Sequence, residues 1–222
     1  MTNQSLTMST SRPPRQRLKD IRPQQLLDAA LGLFVEKGFA ATRSEEVASL
    51  AGVSKGTLYL YYPSKEELFK AVVRQNLTKL IGEGAEFVAA FEGSSAELLL
   101  ALYKEWWLRV ADTGVGGLHK VVLAEVRNFP ELAQFYADEV IAPAHRIFIA
   151  LIERGIASGE FRKVDPASTA HALIIPMVFL MLHQYSIGAC QVHGGKVDPL
   201  PTLQAHADLI LHGLLRRPGK AR

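Results

Sequence analysis

The sequence predicts an all-α protein in which a small N-terminal three-helix unit precedes a larger helical region. Apolar residues recur at three- and four-residue spacing along most of the 222 residues, which is the period of a helix that buries one face. No convincing run of alternating apolar and polar residues indicates a β-sheet. The composition, 48% hydrophobic and 21% charged, excludes a disordered or collagen-like chain.

The first three predicted helices are short and have recognisable ends. Pro23 suits the first position of a helix, and Gly38 suits the position just after its C-terminus. Thr42 and Glu45 form a T-x-x-E capping box for a second helix. Ser54 caps a third short helix. These signals predict three helices within residues 23–62.

Longer helices follow this unit. Ser64 and Glu67 form a second capping box, which opens a helix over residues 65–91. The remaining predicted helices span residues 95–111, 116–128, 130–155, 166–190 and 200–216. Pro143 and Pro176 fall inside these patterns, and we expect a kink at each.

One segment requires consideration as a membrane span, because residues 166–195 contain no Asp, Glu, Lys or Arg. Its continuously apolar part is residues 172–182, whereas a spanning helix needs about 20 apolar residues. We expect a buried helix of a soluble protein and no membrane partner. The polar N-terminus has no apolar stretch of a signal peptide, and a single Cys190 fits a reducing cytoplasm.

The net charge of +3 lies at one end of the chain. Residues 1–62 hold eight Lys and Arg against five Asp and Glu, while residues 63–222 hold 17 of each. We interpret residues 1–21 as a disordered basic arm that would bind a polyanion, with nucleic acid the leading candidate. A solvated tail without a partner explains the same charges equally well.

Residues 43–62 have the spacing of a helix-turn-helix. Ala48 is small enough for the two helices to cross closely, and Gly52 permits a positive φ in the turn. The apolar residues available to fill the wedge between the helices are Val47, Val53 and Leu58. The third helix would then present its outer face to the major groove of DNA. A three-helix bundle without DNA shares this geometry, but the adjacent basic arm favours DNA.

Polar side chains on this unit predict its DNA contacts. Lys55 and the free amides at the start of the third helix can hold a phosphate. Hydroxyl groups nearby can reach phosphates or base edges. The predicted DNA-contacting residues are Thr42, Arg43, Lys55, Gly56, Thr57, Tyr59, Tyr61 and Lys65.

Residues 26–73, LLDAALGLFVEKGFAATRSEEVASLAGVSKGTLYLYYPSKEELFKAVV, resemble the N-terminal domain of the TetR family of transcriptional regulators. The runs GVSKGTLY (52–59) and YPSKE (62–66) carry most of the resemblance. It implies a helix-turn-helix DNA-binding domain over residues 22–75 and a regulatory and dimerisation domain over residues 76–222.

The resemblance also implies a function. A family member of this kind is a homodimer joined through its last two long helices. It binds a palindromic operator in double-stranded DNA, usually represses, and releases the operator when a small-molecule effector enters the C-terminal domain. Activation, or repression that needs no ligand, stays open.

Two residues depart from the family pattern. Arg43 stands where Ser or Thr is more frequent, and Leu60 stands where an aromatic residue or His is frequent. Arg43 could contact a phosphate or a base edge. Leu60 could contact a thymine methyl group or pack inward. The departures leave the operator sequence open but not the mode of docking.

The larger region contains candidates for the dimer contact and the ligand site. One apolar stripe on the last helix predicts a dimer interface, and its members are Leu203, Ala207, Ile210, Leu211 and Leu214. Large aromatic residues and a few polar groups predict the lining of a ligand cavity: Tyr103, Trp106, Trp107, His119, Phe148, Met177, Met181 and Tyr185. Without the family resemblance, ordinary packing in the core of one chain would explain both the apolar stripe and the aromatic residues.

An enzyme is the chief alternative class. Cys190 lies near His183 and His193, so a thiol nucleophile with a histidine base is conceivable, yet no local signature surrounds the cysteine. Residues 114–117 lack the Lys and Ser or Thr of a phosphate loop. We expect neither catalysis, cofactor nor metal. A compacting protein that binds any duplex is a second alternative.

Overall fold

The computed structural model describes residues 15–110, 113–125, 127–189 and 197–214, and these ranges contain helices and no β-strand. The predicted all-α fold is confirmed. The helices are α1 (Arg15–Lys37), α2 (Ser44–Leu50), α3 (Lys55–Tyr61), α4 (Lys65–Val73), α5 (Lys79–Ala90), α6 (Ser95–Val110), α7 (Gly117–Glu125), α8 (Pro130–Tyr136), α9 (Ala142–Ala157), α10 (Pro166–Gln184) and α11 (Pro199–Leu214). Single π-helical turns, Arg74–Thr78 and Ala137–Ile141, join α4 to α5 and α8 to α9.

We call helices α1–α3 the reading unit. Within it, α2 and α3 form the predicted helix-turn-helix. Val47, Ala48 and Leu58 are fully buried between the helices. Gly52 turns the chain with a φ of 68°, a value that a side chain at this position would disfavour. The Ser54 hydroxyl accepts a hydrogen bond from the Thr57 amide and so caps α3, as predicted.

The start of α1 differs from the prediction. The helix begins at Arg15, so residues 15–21 are helical and not a disordered arm. Pro23 therefore lies inside the helix, where its missing N–H removes one backbone hydrogen bond. The remainder of the predicted arm, residues 1–14, lies outside the described residues.

The cap of α2 also differs from the prediction. Thr42 is buried, and its hydroxyl donates to the carbonyls of Leu33 and Gly38 at 3.2 and 2.7 Å. Arg43 is the N-cap instead, and its amide donates to the Glu46 carboxylate. Thr42 thus fastens the end of α1 rather than the start of α2, because its hydroxyl finds carbonyls behind it.

Two hydrophobic clusters divide the packing of the chain. The N-terminal cluster joins α1–α4 to α7 and α8; it includes Leu26, Phe34, Val47, Leu58, Phe69, Leu118, Val121, Leu132 and Tyr136. The C-terminal cluster joins α6, α9, α10 and α11; it includes Leu98, Tyr103, Trp107, Phe148, Leu151, Leu173, Met177 and Leu211. Helices α7 and α8 therefore share a core with the reading unit, although they follow residue 75 in sequence.

Helix α10 (Pro166–Gln184) is long and apolar enough to cross a membrane by length and composition alone. It packs against α7, α9 and α11, and Leu173, Met177 and Leu180 are among its buried residues. Its other face leaves Ile175 63% and Phe179 62% exposed. The prediction of a buried helix is therefore correct for one face of α10 only.

The predicted dimer stripe on α11 lies in the core of the chain itself. Leu203, Ala207, Leu211 and Leu214 are buried in the C-terminal cluster, and Ile210 is partly buried against it. These five residues were expected at a dimer interface because period alone cannot distinguish a core face from an interface face. The outer face of α11 instead exposes Leu209, which is 74% accessible.

Candidate nucleic-acid interface and ligand cavity

Helix α3 presents an exposed surface made of several predicted contact residues. Lys55, Gly56 and Tyr59 are exposed, and Thr57 is partly exposed. Leu60 is 81% exposed, so it points outward and does not pack inward. This surface combines a cation, hydroxyl groups and an apolar side chain, which are the groups that contact phosphates, base edges and thymine methyl groups.

The ammonium group of Lys55 forms an ion pair with Glu45 of α2 and lies 5.7 Å from the centre of the Tyr59 ring. The pairing lowers the pKa of Glu45 and raises the pKa of Lys55. Both side chains are more than half exposed, so this ion pair contributes little to stability. A phosphate could therefore replace Glu45 as the partner of Lys55.

Three predicted DNA contacts have partners inside the protein. The Lys65 ammonium donates to the carbonyls of Phe39, Ala40 and Thr42 at 2.8–3.1 Å. Thr42 is buried, and Tyr61 packs partly against the N-terminal cluster. Lys65 and Thr42 therefore stabilise the segment between α1 and α2 and do not present free groups to DNA. Both residues lie close to α3 in sequence, and the sequence alone does not reveal that their polar groups bond inside the protein.

A cavity of about 260 Å³ lies where the two hydrophobic clusters meet. Its walls come from both: Leu77 and Val140 belong to the N-terminal cluster, while Leu102 belongs to the C-terminal cluster. Five of the predicted residues line it: Trp106, His119, Phe148, Met177 and Met181. These predicted residues lie on α6, α7, α9 and α10, whereas α5, which also lines the cavity, was not predicted.

The other three predicted residues are not part of the described lining. The Tyr103 hydroxyl donates to the Leu173 carbonyl at 2.6 Å, and the residue lines a separate groove between α6 and α11. Trp107 is buried in the C-terminal cluster. Tyr185 packs beside Gly117. Tyr103 and Trp107 directly follow the lining residues Leu102 and Trp106, and they point elsewhere because successive helical positions differ by about 100°.

Sequence reasoning predicted His119 in the cavity wall but missed two further polar groups, Tyr136 and His145. The buried atoms Nδ1 of His119, Oη of Tyr136 and Nε2 of His145 have no hydrogen-bond partner in the part of the chain that the structure describes. Burial lowers the pKa of His119 to about 4 and raises the pKa of Tyr136, so both side chains are neutral at pH 7. Unpaired buried polar groups are costly, which makes this region a candidate ligand site.

Helix α7 touches both the cavity and the reading unit. His119 and Leu123 line the cavity. On the same helix, a carboxylate oxygen of Glu125 accepts a hydrogen bond from the Ala40 amide at 2.9 Å, and the Lys120 ammonium donates to the Val35 carbonyl at 3.4 Å. A change in the cavity wall can therefore reach the end of α1 through one helix.

Two residues of the enzyme alternative, Cys190 and His193, lie outside the described residues. Within the described ranges, no three His, Cys, Asp or Glu side chains are grouped as metal ligands would be.

Comparison with known proteins agrees with this architecture. A family model described as "Bacterial regulatory proteins, tetR family" matches residues 26–72, and one described as "AefR-like transcriptional repressor, C-terminal domain" matches residues 97–183. The regulator RutR of Escherichia coli K12 is 30% identical over 192 residues, with 80% of each chain covered. The repressor KstR2 of Rhodococcus jostii is 26% identical over 200 residues, which cover 88% of this chain and 92% of KstR2.

Solved structures share the fold. The fatty acid degradation regulator FadR of Bacillus halodurans superposes with a TM-score of 0.70 at 20% identity, covering 88% of this chain and 97% of its own. FadR of Bacillus subtilis, solved with stearoyl-CoA, gives a TM-score of 0.67 at 21% identity and covers 86% and 98% of the two chains.

The internal role of Lys65 gives a stability prediction. We expect Lys65→Met to lower the free energy of unfolding by about 2 kcal/mol, because three carbonyls lose a charged donor. Lys55→Ala is the matched control and should change it by less than about 0.5 kcal/mol. Urea denaturation followed by circular dichroism measures both. Equal stability of Lys65→Met and the parent chain would contradict the assigned role.

Proposed function

The chain belongs to the TetR family of transcriptional regulators, and we propose that it works in the cytoplasm as a dimeric repressor. The dimer binds a palindromic operator in double-stranded DNA and releases it when a small-molecule effector fills the cavity. One observation carries this proposal: the cavity lies between the cluster that contains the reading unit and the cluster that contains α10 and α11. A ligand in that position would lie between the helices that read DNA and the helices that would hold the dimer together.

The shape of α3 supports close contact with DNA. Gly56 lies near its exposed start with ordinary helical geometry, and a Cβ there would meet only Ser54 Oγ, at 3.8 Å. The fold therefore has no need of glycine at this position, where alanine is the better helix former. Close approach of a phosphate backbone to the helix supplies a reason for the missing side chain.

The outer faces of α10 and α11 support a dimer contact. Ile175 and Phe179 of α10 and Leu209 of α11 are more than 60% exposed. The ring of His206 contacts the Ala172 carbonyl at 3.1 Å, which joins the two helices side by side. Apolar residues exposed together mark interaction surfaces, and a two-fold axis would pair this surface with its copy.

The proposed release mechanism depends on spacing. A dimer that reads two half-sites must hold its α3 helices about 34–36 Å apart, or a multiple of one helical turn. A ligand that binds better to another spacing shifts the population away from the DNA-binding state. Helix α7 transmits the change, because it lines the cavity and holds Ala40 through Glu125. We therefore propose that α7 and α8 act with the DNA-binding domain of residues 22–75.

A gel-shift experiment tests operator recognition. The full chain should bind the DNA upstream of its own gene about a thousand-fold or more tightly than unrelated duplex. Similar affinity for every duplex would instead indicate a compacting protein. Transcription from that DNA in vitro then distinguishes repression from activation.

Lys55 gives the first prediction for DNA binding. Lys55→Ala should weaken binding to operator and unrelated duplex alike, and should reduce the slope of log affinity against log salt by about one, because one phosphate contact is lost. Lys79→Ala removes an exposed lysine outside the reading unit and should leave the slope unchanged. An unaltered slope in Lys55→Ala would remove this residue from the contact surface.

Gly56 gives a prediction in which stability and binding separate. Gly56→Ala should keep or raise the free energy of unfolding, by up to about 1 kcal/mol, while operator affinity falls at least tenfold. Thermal denaturation and gel shifts on the same preparation measure the two effects. Gly32→Ala is the control, since Gly32 is helical and open on α1; it should change stability alone. Full operator affinity in Gly56→Ala would contradict close approach.

Leu209 gives a prediction for the dimer. Leu209→Glu places a charge on the outer face of α11 and should convert the dimer to monomer in sedimentation velocity, because a buried unpaired charge is costly. Leu50→Glu changes an exposed leucine of α2 and should leave the dimer intact. A Leu209→Glu variant that still sediments as a dimer would place the interface elsewhere.

A further inference from the structure

We infer that the cavity binds a compact, uncharged and mainly apolar molecule, which presents a carbonyl or hydroxyl oxygen to His119 and Tyr136. The inference rests on the proposed function, because it takes the cavity to be the effector site. It goes further by assigning the chemical class of the effector and the two side chains that recognise its oxygen.

The first argument is the position of two unpaired polar atoms. Nδ1 of His119 and the hydroxyl of Tyr136 are buried without a hydrogen-bond partner among the described residues, and both side chains line the cavity. Their rings meet edge to face with centroids 5.8 Å apart, so the two side chains are direct neighbours in the cavity wall. Burying such groups without a partner is unfavourable, and a ligand oxygen would supply the missing partner.

The second argument concerns charge. Burial keeps both His119 and Tyr136 neutral, as their shifted pKa values indicate. Arg109 is the fixed cation of the described lining, and its guanidinium is already paired with Glu83. An anionic ligand would therefore lose its hydration without gaining a free cation, which is strongly unfavourable. The two carboxylates of the described lining, Glu83 and Glu105, both pair with the Arg109 guanidinium, so a cationic ligand gains no free carboxylate.

The third argument concerns size and access. The volume of about 260 Å³ lies just below the range of roughly 300–1,000 Å³ that holds drug-sized ligands. Leu123 and Ile141, both lining residues, are 56% and 54% exposed. These exposed side chains give the cavity an apolar edge toward solvent, which suits the entry of a small apolar molecule.

Four probes of one skeleton test the inference. Benzylacetone carries a ketone, butylbenzene is the hydrocarbon, hydrocinnamate carries a carboxylate, and phenethyltrimethylammonium carries a cation. Binding to the full chain without DNA is followed by tryptophan fluorescence, since Trp106 lines the cavity, and by calorimetry. The ketone costs more to dehydrate than the hydrocarbon, so the ratio of benzylacetone to butylbenzene affinity in the parent chain is the reference for the variants. Benzylacetone should bind at least tenfold more tightly than either charged probe.

One variant and its control test whether Tyr136 recognises the oxygen. Tyr136→Phe removes only the unpaired hydroxyl, so the chain should remain folded, and the affinity of benzylacetone relative to butylbenzene should fall about fivefold, the value of one hydrogen bond. Tyr103→Phe is the matched control: this buried tyrosine donates to the Leu173 carbonyl and lies outside the cavity lining. It should keep the relative affinity of the parent chain.

Several outcomes would overturn the inference. They are tighter binding of either charged probe, an unchanged relative affinity for benzylacetone in Tyr136→Phe, or no binding of benzylacetone at about 1 mM. These outcomes are separate from the proposed function, because operator binding is measured without probe. A chain that binds its operator specifically but prefers hydrocinnamate would retain the repressor role and lose the neutral ligand class.

Discussion

Helices α7 and α8 share one hydrophobic core with the reading unit, and this shared core limits how far the cavity wall can move independently of the DNA-reading helices. At Gly117, the first residue of α7, a Cβ would lie 2.5 Å from Cγ1 of Val35 on α1, so the helices meet at the closest distance that a glycine allows. Phe129, just before α8, packs edge to face on Phe39 with ring centroids 4.8 Å apart. Because protein interiors are close-packed and transmit strain, α7 cannot move far without moving α1.

Because of this shared core, a change in the cavity wall can reach the reading unit. It lies where a core that includes the DNA-reading helices meets a core that includes α10 and α11. The two π-helical turns lie at this junction, and they contribute Leu77 and Val140 to the wall. Such turns are frequent at functional sites. Arg74 and Glu139 pair across them through two hydrogen bonds of 2.8 and 2.6 Å, which fixes the register of the two helical runs.

Features that depend on residues close together in the chain could be predicted from the sequence, and features that depend on tertiary contacts could not. The helix-turn-helix was predictable because Gly52, Ser54 and Leu58 act on residues close to them in the chain. The cap of α2 was not, because Thr42 bonds to carbonyls of α1 that only the folded chain brings near. The stripe on α11 had the right period, but most of its residues are buried in the chain's own core, whereas Leu209 on another face of the helix is exposed. Tyr136 was missed since its hydroxyl reaches the cavity only through the tertiary packing of α8.

We propose that two copies of this chain read the two halves of one symmetric DNA site. Selection of duplexes from a random pool by the full chain, followed by sequencing, is the sharpest test of this proposal. We expect enrichment of an inverted repeat whose half-site centres lie one helical turn of about 10–10.5 base pairs apart, or a multiple of it. Enrichment of a single unpaired site, or no enrichment at all, would contradict it.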